Sequence, residues 1–317
     1  MGLTDSLATG AVVVLDGGLA TRLEARGHDL SGQLWSARLL MDAPDEVYAA
    51  HADFATAGAQ VAITASYQLS FEGLATVGVD ASGTRALVRR SVELARAAMG
   101  PSAGWVAASV GPYGASLADG SEYTGTYAVP APARGAGASS GEPLRRFLRD
   151  WHSRRLSAIV DSGPDLLAVE TIPCLDEAEV LIELVAQSGI PAWVSLSCVG
   201  DRLRSGEPAR AAFEMARGVE AVIACGVNCT TPADAGVLAP IASAASGKPV
   251  VLYPNSGETW DPAGRTWTGR AGFQPADVRA WLGAGAQLVG GCCRVTPDTI
   301  AEIARVCAAV AAPDRGR

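Results

Sequence analysis

Three cysteines carry the strongest chemical signal in this 317-residue sequence. Cys292 and Cys293 are adjacent and follow Gly290-Gly291, and Cys229 stands between an asparagine and a threonine. Neighbours in a regular strand point to opposite faces, but two preceding glycines permit an irregular backbone that could turn both sulfurs to one side. Three thiolates on one Zn²⁺ would leave its fourth tetrahedral position open, as catalytic zinc sites do. The alternative is that these cysteines are buried small hydrophobic residues.

The other four cysteines are weaker candidates. The total of seven is odd and all lie in the second half of a large chain, which is not the pattern of a disulfide framework. We predict that Cys225 and Cys307 are core residues. Cys174 and Cys198 lie near predicted strand ends and are the substitutes if one zinc ligand is wrongly assigned.

Two isolated acids, Asp16 and Glu170, follow apolar runs and would be costly to bury without a partner. One interpretation is that they bind a substrate cation such as an α-amino group, and the alternative is a structural salt bridge or a helix N-cap. Gly17-Gly18 comes directly before a predicted helix, so free backbone N–H groups there could bind a substrate carboxylate. Together with the thiols, these residues describe a site for a zwitterionic amino acid beside a zinc ion.

Histidine and lysine are nearly absent from the positions where they could act. His28, His51 and His152 all lie away from predicted strand ends, which argues against imidazole acid–base chemistry and histidine-rich metal sites. The single lysine, Lys248, precedes the seventh predicted strand, whereas a Schiff-base lysine would be needed at the other end.

The elements that must position these residues alternate between short apolar strands and amphipathic helices. Eight predicted strands recur along the chain: Ala11–Leu15, Ala59–Thr64, Trp105–Val110, Asp165–Val169, Ala192–Ser197, Ala221–Val227, Pro249–Tyr253 and Ala286–Val289. Eight parallel βαβ units predict an α/β fold, a single (β/α)8 TIM-type barrel over residues 1–317 with its site at the strand C-termini. An open doubly wound sheet is the competitor, but no G-x-G-x-x-G follows the first strand.

Two long connections are expected to leave the C-terminal ends of strands, at Gly111–Gly141 and Pro254–Phe273. Such loops build the sites of barrel enzymes, although the Ala/Gly-rich part of the first could equally be a plain insertion. The strand ends also bring Ser66, Tyr67 and Asn228 to the expected site, and we predict that they contribute to substrate binding.

Composition narrows the possible partners. The net charge is −8, hydrophobic residues make up 49% and no basic run is present, which argues against disorder and against binding to nucleic acid or an anionic membrane. Neither a secretory signal nor a long apolar stretch is visible, so a cytoplasmic protein acting on small molecules is the default expectation. The oligomeric state stays open.

Six segments, in this order along the chain, resemble the homocysteine S-methyltransferase family. They are Asp16-Gly17-Gly18, Thr64–Gln68, Glu170–Pro173, Gly226–Thr230, Tyr253–Glu258 and Gly290–Cys293. The resemblance spans nearly the whole chain, and its most specific part is the Asn-Cys and Gly-Gly-Cys-Cys pair. It implies a zinc-dependent (β/α)8 barrel in which Cys229, Cys292 and Cys293 hold the metal, while Asp16 and Glu170 hold the amino group of homocysteine.

The methyl donor varies within that family among betaine, methyltetrahydrofolate and the sulfonium S-methylmethionine, with S-adenosylmethionine sometimes accepted. The segments Thr64–Gln68 and Tyr253–Glu258 look most like the sulfonium-using branch. Aromatic rings can hold a sulfonium through cation–π contact, and the candidates for it are Tyr67, Tyr113, Trp260 and Trp267. Betaine or selenocysteine chemistry, a phosphate-binding barrel isomerase or lyase, and a non-catalytic zinc-binding protein are the alternatives.

Overall fold

The computed structural model describes residues 2–30, 34–100, 104–127, 141–261 and 266–311. Its main sheet contains eight parallel strands: β1 Val13–Val14, β2 Val61–Ile63, β3 Trp105–Val110, β4 Leu166–Ile172, β5 Ala192–Leu196, β6 Val222–Asn228, β7 Val250–Tyr253 and β8 Ala286–Val289. From β2 to β8 each strand pairs with the next along the chain, and β1 pairs with β8. A bridge between Leu15 and Val61 joins β1 to β2. The expected (β/α)8 barrel is therefore confirmed.

Thirteen helices occur in the described residues. In chain order, α1 to α13 are Leu3–Ala8, Leu19–Ala25, Trp35–Asp42, Pro44–Thr56, Phe71–Ala75, Ala81–Met99, Tyr113–Leu117, Glu142–Val160, Leu175–Ser188, Ala209–Met215, Pro232–Ser246, Pro275–Gly283 and Pro297–Ala311. Several begin with proline in the first turn, where its missing N–H costs no hydrogen bond, and Thr231 caps α11 by accepting from Asp234 N–H. No described helix is long and apolar enough to cross a membrane.

The apolar core has two layers, one inside the barrel and one between the strands and the helices, because side chains alternate between the two faces of each strand. On β4, Leu167 and Val169 face the helices, whereas Leu166 and Ala168 belong to the cluster that fills the barrel. Glu170, two residues after Ala168, lies on the same inward face at the C-terminal end of the strand. Helix α1 contributes Leu3 and Leu7 to the same inner cluster, so it covers the opposite end of the barrel.

The long connections contain structure of their own. The segment after β3 includes α7 and a 3₁₀ turn, Ser121–Tyr123, before residues 128–140, which lie outside the described part. After β7, strands Thr259–Asp261 and Thr266–Thr268 form an antiparallel pair. A second small antiparallel pair, Cys198–Val199 with Arg202–Leu203, was not expected from the sequence. The first barrel strand is also shorter than predicted.

Candidate functional site

A cavity of about 130 Å³ lies at the C-terminal ends of the barrel strands. Nine of the ten predicted site residues line it: Asp16, Gly17, Gly18, Tyr67, Glu170, Asn228, Cys229, Cys292 and Cys293. The tenth, Ser66, is fully buried behind the cavity wall, where its hydroxyl donates to the Ser109 carbonyl at 2.8 Å. Residues that are far apart in the sequence therefore meet at one end of the barrel.

The three predicted metal ligands form a compact thiol cluster. The Sγ atoms of Cys229 and Cys292 are 2.8 Å apart and those of Cys292 and Cys293 are 4.0 Å apart, and all three lie within 4.8 Å of one another. Thiolates bound at about 2.3 Å to one tetrahedral Zn²⁺ would stand about 3.8 Å apart. Small side-chain movements would therefore let all three bind a single ion.

The turn after β8 brings the paired cysteines to one side, and two glycines make it possible. A Cβ on Gly290 would lie 2.6 Å from the Cβ of Leu15, and one on Gly291 would lie 2.1 Å from Val295. The Gly291 N–H donates to the Asp16 carbonyl at 3.0 Å. The glycines thus let the thiol-bearing turn pack directly on the end of β1.

The segment after β7 holds the same turn from the other side. The Cys292 N–H donates to the Pro254 carbonyl at 2.8 Å, and the Cys293 N–H donates to Oδ1 of Asn255 at 3.1 Å. The Ser256 N–H in turn donates to the Cys293 carbonyl at 3.0 Å. These bonds fix the backbone on which the two sulfurs are carried.

The chemistry of this donor set suits a metal cation. The pKa of the Cys292 thiol is raised because it shares a hydrogen bond with Cys229 and is buried beside other thiols. The hydrogen bond with Cys229 lowers the pKa of Cys293, but the hydrogen bond with Cys292 and burial outweigh it, so that this pKa is also raised. Burial thus disfavours the thiolate forms, whereas a bound metal ion would favour them.

Asp16 is a buried acid with one unused oxygen. Its Oδ2 accepts the Ile63 N–H at 2.8 Å, and its Oδ1 has no hydrogen-bond partner. Burial raises the pKa of Asp16 well above its usual range; the Ile63 bond lowers it, and the charge of Glu170 raises it further. In the described residues it takes part in no ion pair, and the residue at the N-cap of α2 is Gly18.

Glu170 lies across the cavity and is also buried, with an exposed fraction of 6%. Its Oε1 accepts a hydrogen bond from the Ser109 hydroxyl. Burial raises the pKa of Glu170 to about 7, although the Ser109 and Tyr253 hydroxyls and the charge of Arg155 lower it. The two acids therefore present carboxyl groups to one cavity, and each would gain from a cationic partner.

Packing requires the glycines that follow Asp16. A Cβ on Gly17 would lie 2.6 Å from both the Phe54 ring and the Val295 carbonyl, and a Cβ on Gly18 would lie 2.6 Å from the Cys292 carbonyl. The Gly18 N–H donates to the Val295 carbonyl at 3.0 Å. Carboxylate binding at this turn, which would have to use other N–H groups, stays a prediction.

Asn228 lines the cavity, but its amide is engaged by the protein. Its Oδ1 accepts the Thr171 N–H at 2.7 Å, and its Nδ2 donates to the Thr171 hydroxyl at 2.7 Å. Asn228 is fully buried and Thr171 nearly so. Its predicted part in substrate binding is untested.

Three aromatic residues line the cavity, of which the sequence analysis assigned only Tyr67 to the site. Tyr253 ends β7, a position that an inspection of strand ends could have identified. Tyr123 lies in the 3₁₀ turn of the long β3–α8 connection, where nothing in the sequence distinguishes it. Tyr113 packs instead against Tyr127, Phe147 and Trp151, outside the cavity lining. The side chains of Trp260 and Trp267 lie outside the described part of the structure.

The histidines and the lysine lie away from the cavity, as the sequence indicated. His51 is buried in α4, which lowers its pKa to about 4, and Nε2 of His152 is 2.8 Å from Oε1 of Glu177. Nζ of Lys248 donates to the Val219 carbonyl at the opposite end of the barrel. Among the described residues, the titratable groups of the site are thus acids, thiols and tyrosines.

Fold and site together define a parallel (β/α)8 barrel that has a three-thiol cluster able to hold a metal ion, and two buried acids, at the C-terminal ends of its strands. Residues 13–307 match the family model described as homocysteine S-methyltransferase. The chain belongs to the homocysteine S-methyltransferase family, whose members are methyltransferase enzymes.

Relatives cover almost the full length of the chain. Homocysteine S-methyltransferase YbgG of Bacillus subtilis is 39% identical over 315 residues, which cover 94% of this chain and 95% of the relative. Homocysteine S-methyltransferase of Escherichia coli is 42% identical over 305 residues, covering 92% and 94%. Selenocysteine Se-methyltransferase of Brassica oleracea is 38% identical, covering 93% and 88%.

Solved structures agree with this placement. The metallated form of the homocysteine methyltransferase MmuM from Escherichia coli superposes with a TM-score of 0.80 at 37% identity, covering 95% of this chain and 98% of that one. A methyltransferase from Methanosarcina mazei superposes with a TM-score of 0.59 at 11% identity, which shows a shared fold alone.

Proposed function

We propose that this protein transfers a methyl group from S-methylmethionine to the thiolate of homocysteine, giving methionine, with Zn²⁺ held by Cys229, Cys292 and Cys293. The observation that carries the proposal is the meeting of three thiols and two acids, none of them in an ion pair within the described residues, in one small cavity. Homocysteine has a thiol for the metal and an ammonium group for the acids. Family membership supports the same substrate.

Zinc is the metal that this donor set favours. Soft thiolate ligands select zinc over hard cations such as Mg²⁺ and Ca²⁺, and three protein ligands leave one position for a substrate. When bound, Zn²⁺ supplies Lewis acidity that lowers the pKa of the homocysteine thiol and keeps it as a thiolate at neutral pH.

The two acids are proposed to bind the homocysteine ammonium group. Oδ1 of Asp16 lacks a partner, and the carboxyl of Glu170 retains acceptor capacity beyond the Ser109 bond. A bound ammonium would favour the charged form of both acids, which burial now disfavours. Substrate binding thus offsets the cost of burying these acids and orients the sulfur toward the donor.

The transfer itself needs no proton donor. The homocysteine sulfur forms a bond to the methyl carbon, and the bond between that carbon and the donor sulfonium breaks with its electron pair passing to the donor sulfur. Both products, the new methionine and the demethylated donor, are neutral thioethers. A reaction that needs no proton donor is compatible with this cavity, because no histidine or lysine lines it among the described residues.

Aromatic rings in the cavity wall are suited to the positive donor. Tyr67, Tyr123 and Tyr253 all line the cavity, and a sulfonium over such a ring gains about 0.5–2 kcal/mol. Holding donor and acceptor in line could remove on the order of 7–11 kcal/mol from the barrier. We assign these three rings to donor positioning.

The setting of the reaction is part of the proposal. We infer that residues 1–317 form one catalytic domain that works in the cytoplasm on small molecules, without nucleic acid or membrane. The net charge of −8 and the lack of a basic run support the part of this inference that concerns nucleic acid and membranes. The oligomeric state is left open.

A donor panel tests the proposal. The zinc-loaded protein is assayed for methionine formation from homocysteine with S-methylmethionine, S-adenosylmethionine, betaine and methyltetrahydrofolate at equal concentration. S-methylmethionine is expected to give the highest rate. A betaine rate that equals it would contradict the donor assignment, and bound zinc without turnover of any donor would indicate a non-catalytic zinc protein.

A parallel acceptor panel separates homocysteine from selenocysteine, since a relative with 38% identity is named a selenocysteine methyltransferase. Homocysteine is expected to be the better acceptor for this chain. Phosphate binding in the absence of zinc would instead favour a barrel isomerase or lyase.

A further inference from the structure

The backbone at the site adopts an unusual conformation at two strand ends. Thr171, directly after Glu170, has φ +62°, and Cys229, directly after Asn228, has φ +48°. Positive φ is uncommon for residues other than glycine, and for a β-branched residue such as threonine it is an outlier. Strain of this kind persists only where surrounding contacts enforce it.

At Thr171, Asn228 supplies contacts of this kind. Its amide accepts the Thr171 N–H and donates to the Thr171 hydroxyl, both at 2.7 Å. The β4–β5 ladder is irregular between Val169 and Ile172, so the Thr171 N–H takes its partner from this side chain. A buried N–H without a partner would be costly, which makes the Asn228 amide the group that stabilises the turn.

The contact reaches across the sheet. Thr171 belongs to β4 and Asn228 to β6, and β5 lies between these strands. One end of the contact adjoins Glu170, a proposed amino-group ligand, and the other adjoins Cys229, a proposed metal ligand. The two hydrogen bonds therefore join the acid side of the cavity to the thiol side through two rigid strand ends.

We propose that Asn228 is a positioning residue that sets the distance between the amino-group site and the metal site. The inference rests on the proposed function, because one amino acid must reach both sites. Homocysteine has two methylene groups between its α-carbon and sulfur, and cysteine has one. A fixed separation therefore selects the acceptor by chain length, and Asn228 with Thr171 is the fixed link.

The test measures affinity for homocysteine and for cysteine by calorimetry on zinc-loaded protein without any methyl donor. Discrimination of one methylene is worth about 10–200-fold in a well-formed site. In Asn228→Ala we expect the ratio of the two dissociation constants to fall by at least about 10-fold. Thr171→Val, which replaces the hydroxyl with a methyl group and leaves the backbone N–H in place, should lower the ratio by a smaller factor. Metal content is determined for each variant.

A rescue variant separates positioning from direct substrate contact. Glycine adopts positive φ at no steric cost, so Asn228→Ala combined with Thr171→Gly should recover part of the lost ratio. Ser246→Ala is the matched control, because it removes a buried hydrogen bond to the Ala242 carbonyl on α11, away from the cavity. It should lower thermal stability and leave the ratio unchanged.

Two results would overturn the inference. Equal losses of affinity for both thiols in Asn228→Ala, with the ratio retained, would mean that the residue only stabilises the fold. A lost ratio that the glycine variant fails to recover would mean that Asn228 contacts the substrate directly. Because the readout is binding, it is independent of whether S-methylmethionine is the donor. If Asn228→Ala does not fold, Thr171→Val gives the decisive ratio.

Discussion

The two ends of the barrel use polar groups in opposite ways. At the N-terminal ends of the strands, side chains complete the sheet: Oε1 of Gln60 accepts the Val14 N–H at 2.9 Å, and Oδ2 of Asp165 accepts the Val106 N–H at 2.7 Å. At the C-terminal ends, Oδ1 of Asp16 is buried without a partner, and Thr171 and Cys229 are held at positive φ.

The difference fits the proposed site, in which local stability at the C-terminal ends is lower so that a ligand can bind. A hydrogen bond that completes a strand end stabilises the fold, whereas a buried acid without a cation destabilises it until a ligand arrives. Natural proteins commonly carry such local costs at their sites and offset them elsewhere. We therefore expect substitutions at the C-terminal end to change binding and those at the other end to change stability.

The largest effect should come from the thiols. Cys229→Ser, Cys292→Ser and Cys293→Ser are each expected to lose zinc and reduce methyl transfer by more than about 100-fold, since even indirect partners of a metal ligand are worth about 10–100-fold. Metal analysis and a methionine assay measure this. Cys307→Ala, on the last helix, is the control and should retain zinc. Full zinc occupancy in all three serine variants would contradict the ligand assignment.

The next effect concerns the acids. Asp16→Asn and Glu170→Gln should raise the homocysteine KM by about 10–150-fold, which corresponds to the loss of one charge-assisted hydrogen bond. Their thermal stability without substrate should stay equal or rise, because a neutral amide replaces a buried acid whose ionisation is costly. Unchanged KM values with lower melting temperatures would show that both acids are structural.

A smaller effect should appear in the pH dependence of stability. Glu170 has a pKa of about 7 in the folded protein against an ordinary value of 4.5. Well below pH 4.5 the group is neutral in both states; as pH rises through 4.5 toward 7, the unfolded state releases its proton first, so the stability contributed by Glu170 falls.

Urea unfolding of the metal-free protein at pH 5 and pH 8 measures this change. Relative to Glu170→Gln, the wild-type chain should lose on the order of 1–3 kcal/mol of unfolding free energy between these values. A difference between the two proteins that is the same at both pH values would argue against a raised pKa.

The smallest effect is expected at the opposite end. Asp165→Ala removes the acceptor of the Val106 N–H and an exposed ion pair with Arg96, and should lower the unfolding free energy by about 1 kcal/mol. The homocysteine KM should not change. A raised KM in this variant would show that the two ends are coupled. It would contradict the expectation that substitutions at the N-terminal end change stability alone.

The residues that could be predicted from the sequence are those whose side-chain type and position at a strand end indicate a chemical role. Asp16, Glu170 and the cysteines follow short apolar runs, and parallel strands bring such ends together. The eight strands were recognisable for the same reason, although β1 extends only over Val13–Val14 and Leu15 contributes a single bridge to Val61. Which groups touch a ligand stays a prediction.

The rest depended on tertiary contacts that no local pattern reveals. Tyr123 reaches the cavity through a long connection whose course is set by packing, and Ser66 is drawn behind the wall by its bond to Ser109. Thr171 has positive φ and is hydrogen-bonded to an asparagine 57 residues away. Propensity alone would place a threonine in extended backbone, and here the tertiary hydrogen bonds override it.

Closure of the barrel between β1 and β8 also determines when the site can exist during synthesis. Val13 pairs with Leu288, so the first strand leaves the ribosome long before its neighbour has been made. Asp16 follows the first strand and the paired cysteines follow the last, and the nascent chain therefore exposes two open sheet edges until the end of translation. If the three thiols hold a metal as proposed, its capture by all of them would be among the last events in folding and would help to fix the final strand in place.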